Sequence, residues 1–275
     1  MHESVLDQYA VMGNPVEHSL SPTIHTAFAK QTGEQLQYQK ILVPEDGFSK
    51  AVQQFFEKGG KGLNITVPFK EQAFALAEVK DDRAAAARAV NTLWMDSEGR
   101  LNGSNTDGLG LTRDLTENYQ LDLSDKNILV LGAGGAVRGV LKELLQQNPK
   151  QLIVSNRTPE KSALLATQFA SLGVIAAASF DEIPALDYSL VINGTSASLH
   201  GKVPSISGSL LAGAFCYDMM YGHNAMKFLD WAIENHATAA VDGLGMLVEQ
   251  AAESFSIWRN IRPATAAVIE QFKQR

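Results

Sequence analysis

The sequence predicts an α/β protein of two domains, the second of which is built on a doubly wound parallel sheet. The first reason is length, because 275 residues exceed what one α/β domain ordinarily needs. The second is that short apolar strands alternate with helical segments from residue 127 onward. The third is a glycine-rich segment between the first of those strands and its helix, a placement typical of doubly wound sheets.

The first domain is predicted from segments that alternate between strand and helix. Ser21 and Pro22 predict the N-cap and the first position of a helix, and Gly33 predicts its end. Ser19 and Ser21 therefore lie at a helix start, where anions bind. In order, the segments are DQYAVMG, SPTIHTAFAKQTG, LQYQKILV, a helix ending near Lys58, GLNITVPF and KEQAFALAEV.

The segment GLNITVPFK, residues 62–70, has a polar face and a lysine at its end. Apolar and polar residues alternate through its first six positions, which predicts a half-buried strand that presents Asn64 and Thr66 on one face. Proline cannot continue the hydrogen-bond ladder, so the strand is expected to end at Pro68, with Lys70 just beyond.

The rest of the chain completes the alternation. Residues 89–105, AVNTLWMDSEGRLNGSN, predict two strands around the turn DSEGR, followed by a helix from about Asp107. Two helical stretches after VDGLGM, 245–261 and 264–273, have no predicted strand before them and are expected to pack on the first domain. Between these regions lie NILVLG, a helix to about Gln147, QLIVSN, a helix from Pro159, YSLVING, AFCYDMMY and a helix from Asn224.

Composition excludes several functional classes. The formal charge is −7 and the 23 lysines and arginines are scattered, which argues against a nucleic-acid partner. Cys216 is the only cysteine, so we expect no intrachain disulfide and a cytoplasmic location. No metal is expected, because the six histidines are dispersed. The start MHESVLDQ and the lack of long apolar runs predict neither a signal peptide nor a membrane helix.

The segment NILVLGAGGAVRG predicts a dinucleotide site. Gly132, Gly134 and Gly135 lie between a strand and a helix, where small residues let the backbone approach a pyrophosphate. The third position of the usual fingerprint is Val137 rather than glycine or alanine, so the helix is expected to pack differently there. The sequence thus predicts a Rossmann-like second domain.

The end of the next predicted strand indicates which dinucleotide is bound. An NAD site commonly has an acidic residue there, whose charge would repel a 2′-phosphate. This chain instead has SNRT, in which Asn156, Arg157 and Thr158 offer donors and one fixed cation. The sequence therefore predicts NADP.

The first domain supplies the polar residues expected to face that cofactor across a cleft. Hydroxyls at a helix start suit a carboxylate, amides suit hydroxyl groups, and a lysine with an aspartate suits proton transfer. These features predict a small polyhydroxylated acid as substrate. The set comprises Ser19, Ser21, Asn64, Thr66, Lys70, Asn91, Thr92, Asn105 and Asp107.

Eight ordered motifs carry a family resemblance. HSLSPTIH, NITVPFK, AVNTL, NTDGLG, GAGGAVR, NRT, YDMMY and VDGLGML occur here in that order, from about residue 10 to residue 255. In order and approximate spacing they resemble the shikimate dehydrogenase family. The resemblance implies NADPH-dependent, reversible reduction of 3-dehydroshikimate to shikimate, a step toward chorismate and the aromatic amino acids.

The resemblance also implies roles for individual residues. Lys70 would be the catalytic acid/base, and Asp107 its partner and a ligand of a substrate hydroxyl. The other implied substrate-binding residues are Ser19, Ser21, Asn64, Thr66, Asn91, Tyr221 and Gln250. The implied cofactor-binding residues are Gly132, Ala133, Gly134, Gly135, Ala136, Asn156, Arg157, Thr158, Met219, Gly243 and Asp82. Residues 1–106 with 243–275 would form the substrate-binding and catalytic domain, and residues 107–242 the NADP-binding domain.

The sequence departs from the family pattern at two places, and other functions stay open. Arg88 stands where glycine is common, which touches packing beside Asn91, and Asn193-Gly194-Thr195 replaces NAT or NTT at the edge of the nicotinamide site. A quinate/shikimate paralogue with relaxed substrate or cofactor use is the nearest alternative. A non-catalytic sensor is another, disfavoured because Lys70 and Asp107 are both present. A monomer or homodimer is expected.

Overall fold

The computed structural model describes residues 6–273, which form two compact units. The first comprises residues 6–110 and 248–273, and the second comprises residues 111–247. Each unit contains one six-stranded sheet with helices, which confirms the predicted two-domain α/β class. The assignment of functions to residues 1–106 with 243–275 and to 107–242 stays a prediction.

The sheet of the first unit is mixed. Strand β1 pairs in parallel with β2 and β3, whereas β3 and β6 both run antiparallel to β5. The order across the sheet is β2-β1-β3-β5-β6-β4. The strands are β1 (Asp7–Gly13), β2 (Leu36–Leu42), β3 (Gly62–Ile65), β4 (Val79–Lys80), β5 (Thr92–Met95) and β6 (Leu101–Ser104).

The first helix begins close to where the sequence predicts. Ser21 is its first residue rather than its N-cap, because Leu20 occupies the cap position and the Ser19 hydroxyl accepts the Ser21 N–H at 3.3 Å. Gly33 ends the helix with a left-handed φ of 74°, as predicted. The helices up to the unit boundary are α1 (Ser21–Thr32), α2 (Phe48–Glu57), α3 (Lys70–Leu76), α4 (Asp82–Ala87) and α5 (Asp107–Arg113).

Strand β3 is shorter and more deeply buried than predicted. It ends at Ile65, so Thr66 lies just beyond the strand and Lys70 begins α3. All four of its residues are buried, which shows that the expected half-buried strand was wrong. The physical reason is that β3 lies between β1 and β5 and is covered on both faces, with the Trp258 ring packed directly against Gly62.

The second unit contains a wholly parallel sheet in the order β9-β8-β7-β10-β11-β12. In order along the chain this is 3-2-1-4-5-6, the doubly wound arrangement predicted from the sequence. The strands are β7 (Asn127–Leu131), β8 (Gln151–Asn156), β9 (Ile175–Ser179), β10 (Leu190–Asn193), β11 (Phe215–Asp218) and β12 (Ala239–Val241). The α-helices that follow α5 along the chain are α6 (Gly135–Arg138), α7 (Leu141–Leu145), α8 (Pro159–Phe169), α9 (Met226–Glu234), α10 (Leu244–Arg259) and α11 (Ala266–Lys273). All of α11, and α10 from Val248 onward, belong to the first unit.

Several predicted boundaries are wrong in this half of the chain. A strand, β12, ends three residues before α10, although no strand was expected there. Alanine dominates both β12 and the equally unpredicted β9, and alanine gives little strand signal. The helix expected to run to Gln147 is divided into α6 and α7, and α9 begins at Met226 rather than Asn224.

The backbone conformation at Arg88 explains why glycine is common at this position in the family. It follows α4 with a φ of 49°, in the left-handed region that glycine adopts most easily, and its side chain is exposed. The departure therefore concerns backbone conformation at a helix end, whereas packing beside Asn91 was expected.

No helix within residues 6–273 has the length and apolar character needed to cross a membrane.

Candidate active site

Lys70 and Asp107 form an ion pair in the first unit. Each is the first residue of a helix, Lys70 of α3 and Asp107 of α5. Lys70 Nζ lies 2.6 Å from Asp107 Oδ2, and the lysine side chain is 30% exposed whereas that of the aspartate is only 10% exposed. The structure thus brings together two residues separated by 37 positions, and it leaves the lysine side chain partly exposed.

The second oxygen of Asp107 is held by Asn91. Asn91 Nδ2 lies 2.9 Å from Asp107 Oδ1, and the Asn91 side chain is buried just before β5. Asn91 Oδ1 accepts the Thr106 N–H at 3.0 Å, which fixes the amide orientation. Asn105 Oδ1 accepts the Asp107 N–H at 3.0 Å. The carboxylate that faces Lys70 is therefore fixed by buried amides.

Gln250 and Ser254 bring α10 into the same network. Gln250 Oε1 lies 3.3 Å from Asn91 Nδ2, and Ser254 Oγ lies 2.7 Å from Thr92 Oγ1. Ser254 and Thr106 were not singled out in the sequence. Ser254 carried a usable signal, because it lies four residues beyond Gln250 and so shares its helix face.

Most of the hydrogen-bonding capacity of Asn64 is used inside the protein. Its Nδ2 donates to Ser254 Oγ at 3.0 Å and to the Asn91 carbonyl at 3.2 Å, and its Oδ1 accepts the Tyr38 hydroxyl at 2.7 Å. An amide has two donor hydrogens and two acceptor lone pairs. These hydrogen bonds therefore leave one acceptor position on Oδ1. The Tyr38 contact had no signal in the sequence.

Ser19, Ser21 and Thr66 lie near the ends of β1 and β3. The Ser19 hydroxyl lies 3.2 Å from that of Ser21, at the start of the twelve-residue helix α1. The Thr66 N–H donates to the Met12 carbonyl at 3.0 Å, and a side chain at Gly13 would collide with the Thr66 methyl group. The two serines therefore lie between β1 and α1 in the chain, and Thr66 directly follows β3, the parallel neighbour of β1.

His25 lies one helical turn beyond Ser21 and is completely buried. Its ring stacks on Tyr38 with centroids 4.3 Å apart and an interplanar angle of 7°, and Trp258 and Phe255 lie nearby. Neither ring nitrogen has a hydrogen-bond partner among residues 6–273. Burial lowers the pKa of the imidazole to about 3, so His25 is neutral near neutral pH.

Replacing His25 by leucine is expected to make the stability of the protein less sensitive to mild acid. Between pH 6.5 and about 3, the unfolded chain binds a proton at His25 that the folded chain does not bind. The free energy of unfolding of the wild type therefore decreases as the pH is lowered through this range. At pH 5 this amounts to about 2 kcal/mol, which the variant avoids. Urea unfolding at several pH values measures the difference, with the exposed His18 changed to leucine as control. Parallel pH profiles for wild type and the His25 variant would contradict the prediction.

The glycine-rich loop of the second unit follows β7. Gly132 has a left-handed φ of 106°, and a Cβ there would lie 2.9 Å from the Gly194 carbonyl oxygen. Gly134 and Gly135 are exposed, with no heavy atom within 4 Å of the position of an added Cβ. Ala133 is half-buried and Ala136 is exposed. The loop therefore combines one position that only glycine fits with an open backbone surface.

The other predicted cofactor residues occupy three places. Asn156 ends β8, and the exposed Arg157 and Thr158 follow it before α8. Met219 follows β11, and Gly243 is packed so closely that a Cβ would lie 2.6 Å from the Met219 carbonyl oxygen. Asp82 lies on an exposed position of α4, in the first unit.

Tyr221 and the end of β11 belong to the second unit. Tyr221 is half-buried beside a short 3₁₀ turn, residues 222–224. Burial raises the pKa of Asp218, which accepts hydrogen bonds from Ser198, Asn193 and the Met220 N–H at 2.6–2.9 Å. These bonds fix the chain that carries Met219 and Tyr221.

Within the described residues, no cluster of three or more histidine, cysteine or acidic side chains could hold a metal ion.

Three family models match the chain. Residues 11–93 match the shikimate dehydrogenase substrate binding domain, residues 114–200 match shikimate / quinate 5-dehydrogenase, and residues 243–271 match the shikimate 5'-dehydrogenase C-terminal domain. The matched segments include Lys70, the glycine-rich loop and Gln250.

Whole-chain relatives and solved structures agree with those matches. The chain is 54% identical to the shikimate dehydrogenase (NADP(+)) of Alkalilimnicola ehrlichii over 96% of this chain and 97% of the relative. It is 49% identical to that of Cellvibrio japonicus over 98% of both chains. The crystal structure of an Ael1 enzyme from Pseudomonas putida is similar with a TM-score of 0.92 and 43% identity, covering 96% of this chain and 97% of that one.

One similar solved structure contains both a cofactor and a substrate. The shikimate 5-dehydrogenase of Thermus thermophilus, solved in complex with NADP(H) and shikimate, is similar with a TM-score of 0.84 and 28% identity. The similarity covers 98% of this chain and 99% of that one. With about half of its residues identical to those of curated relatives along nearly its full length, the chain belongs to the shikimate dehydrogenase family.

Proposed function

We propose that this protein catalyses the NADPH-dependent, reversible reduction of 3-dehydroshikimate to shikimate. The reaction belongs to the shikimate pathway, which leads to chorismate and the aromatic amino acids. The observation that carries the proposal is the ion pair of Lys70 and Asp107, 2.6 Å apart at the starts of two helices. It supplies the proton donor that carbonyl reduction requires.

Lys70 is the general acid and base of the proposed reaction. As an ammonium group, its Nζ donates a proton to the alkoxide oxygen that develops at C3 of the substrate. In the reverse direction, the neutral amine accepts the proton of the C3 hydroxyl. Asp107 Oδ2 orients the lysine, while Asn91 holds Oδ1 and so prevents the carboxylate from rotating away.

Side chains of the first unit bind the substrate in this proposal. The hydroxyls of Ser19 and Ser21 bind the carboxylate, assisted by the start of α1. Asn64 contributes its remaining acceptor lone pair on Oδ1 to a substrate hydroxyl, because both of its amide hydrogens are engaged. Hydrogen bonds to the other hydroxyl groups come from Thr66, Asp107 and Gln250, and Asn91 joins them by exchanging its 3.3 Å contact with Gln250 for the substrate. Tyr221 is proposed as a further substrate ligand.

Three places in the second unit suit the dinucleotide. The loop of residues 132–136 offers an exposed backbone, where Gly134 and Gly135 leave space for a pyrophosphate. Asn156, Arg157 and Thr158 would hold the 2′-phosphate, and Met219 with Gly243 would line the nicotinamide. Asp82 is proposed as a further cofactor contact. The chemistry that bound NADPH supplies is a hydride equivalent for the C3 carbonyl.

Location and assembly complete the proposal. We place the enzyme in the cytoplasm, supported by the single cysteine, Cys216, which is buried. Burial raises the pKa of its thiol to about 12, so the reactive thiolate is scarce. We propose a monomer or a homodimer, which sedimentation velocity distinguishes.

An oxidation assay tests the function. Purified protein is expected to reduce NADP in the presence of shikimate, followed through the absorbance of NADPH. Both quinate in place of shikimate and NAD in place of NADP are expected to give a kcat/KM lower by about tenfold or more, since each loses specific polar contacts. Equal efficiency with quinate would identify the paralogue with relaxed specificity, equal efficiency with NAD would refute the cofactor preference, and binding without turnover would indicate a sensor.

A further inference from the structure

Gly194 lies at the point where the strand order of the second sheet reverses. Strands β7 and β10 are neighbours there, with Leu131 in register with Asn193. Gly132 follows β7, Gly194 follows β10, and the Gly194 N–H donates to the Leu131 carbonyl at 2.8 Å. In doubly wound sheets, ligands bind in the crevice outside these strand ends. Gly194 therefore borders the cofactor crevice opposite the glycine-rich loop.

Gly194 packs against both ends of that loop. Its carbonyl oxygen would lie 2.9 Å from a Cβ on Gly132, at the start of the loop. A Cβ on Gly194 would lie only 2.4 Å from Val137 Cγ2, in α6, and 3.0 Å from Met219 Sδ. Val137 is completely buried. No side chain at position 194 fits beside Val137 as it stands.

This contact explains how the chain accommodates Val137. The third fingerprint position is normally small so that the helix can pack closely on the sheet. In this protein the helix α6 carries the larger residue, Val137. The small residue that makes room for it is Gly194, which follows the neighbouring strand β10. The two departures from common patterns, Val137 and Gly194, are therefore one packing feature.

The surroundings determine which side would move if Gly194 had a side chain. The Gly132 N–H donates to the Ser155 carbonyl at 2.7 Å, which fixes the β7 side. Asn193 is held by Asp218 at 2.9 Å, and Asn193 Oδ1 accepts the Thr195 N–H at 3.1 Å, which fixes the β10 side. Met219 is flexible and can yield. Val137 is β-branched and stiff, so α6 would shift together with the loop in front of it.

We propose that Gly194 is a positioning residue for NADP: by accepting Val137 Cγ2 against its bare Cα, it holds the loop of residues 132–136 at the spacing that the pyrophosphate requires. The inference rests on the proposed function, because it assigns the loop to the cofactor. It predicts that a methyl group at 194 weakens NADP binding and that removing the Val137 methyl groups reverses the effect.

A double-mutant cycle tests the proposal. Gly194→Ala is expected to raise the Kd for NADP about tenfold, as measured by calorimetry, because overpacking displaces the loop. The double variant Gly194→Ala/Val137→Ala is expected to return to within about threefold of the wild-type Kd, as is Val137→Ala alone. The KM for shikimate at saturating NADP is expected to stay within about twofold for Gly194→Ala, which a general loss of structure would not permit.

Two readouts keep the outcomes distinct. The thermal midpoint of the ligand-free protein is expected to fall for Gly194→Ala and to recover in the double variant. If Gly194→Ala does not fold, soluble expression of the double variant is the equivalent evidence that the Val137 substitution relieves the clash. The proposal would be overturned if Gly194→Ala bound NADP with wild-type affinity. It would also be overturned if the double variant had the same Kd for NADP and the same thermal midpoint as Gly194→Ala. If the wild type fails to bind NADP, the proposed function fails, while recovery of the ligand-free midpoint still supports the packing assignment.

Discussion

Replacing Lys70 by methionine is expected to lower kcat for shikimate oxidation by about 10²- to 10⁴-fold, the usual contribution of a positioned acid or base. Methionine keeps the length of the side chain but can neither donate nor accept the proton at C3. The KM for shikimate is expected to change much less, because the other substrate ligands stay in place. Initial rates at varied shikimate concentration, with saturating NADP, measure both constants.

The lysine at the opposite end of the same strand provides a matched control. Lys61 is exposed and directly precedes β3, whereas Lys70 lies beyond its end. Lys61→Met is expected to leave kcat within about twofold of wild type, because exposed charges far from special features have small effects. A Lys70→Met enzyme that is folded and has wild-type kcat would show that another group transfers the proton.

The ion pair also shows what the sequence can and cannot predict. Lys70 lies near the end of β3 and Asp107 at the start of α5, and a strand–helix pattern alone does not say that they meet. Their pairing was expected from the family motifs. The residues that hold the nearby Asn64, such as Ser254 and Tyr38, come from distant segments, and tertiary packing alone brings them to it.

The doubly wound sheet was easier to predict than its edges. Strands β7, β8 and β10 are runs of leucine, isoleucine and valine, as expected for strands buried on both faces. The edge strands β9 and β12 are rich in alanine and only partly buried, so neither composition nor periodicity separates them from loops. Likewise, Val137 signalled unusual packing, but its partner, Gly194, lies 57 positions away and only the fold identifies it.

The turn after β8 bears on the choice of cofactor. The strand β8 ends in Asn156, and no acidic residue occupies the two positions after it. The Asn156 amide donates to the Thr158 carbonyl at 3.0 Å, which closes a compact turn before α8. The exposed Arg157 lies at the centre of that turn, where it can meet a phosphate dianion without the cost of burying its charge.

Replacing Arg157 by alanine is expected to lower kcat/KM for NADP about 10- to 100-fold while leaving kcat/KM for NAD within about threefold. A charge-assisted hydrogen bond contributes roughly 1.5–3 kcal/mol, and only NADP has the 2′-phosphate that accepts it. The variant should therefore lose most of its preference between the two dinucleotides. Initial rates with each dinucleotide at saturating shikimate measure the ratio, and calorimetry gives the Kd for NADP.

Arg100 is a matched control for the loss of one arginine charge. It is a surface residue of the first unit, paired with Asp96 at 2.9 Å and with Glu98 at 3.3 Å. Arg100→Ala removes the same charge and is expected to leave the ratio of the two efficiencies unchanged, because surface ion pairs contribute little. An Arg157→Ala enzyme that keeps the wild-type ratio would show that Asn156, Thr158 or a backbone N–H recognises the phosphate. Arg157 would then be an ordinary surface charge, and the preference for NADP would have its origin in hydrogen bonds from neutral groups.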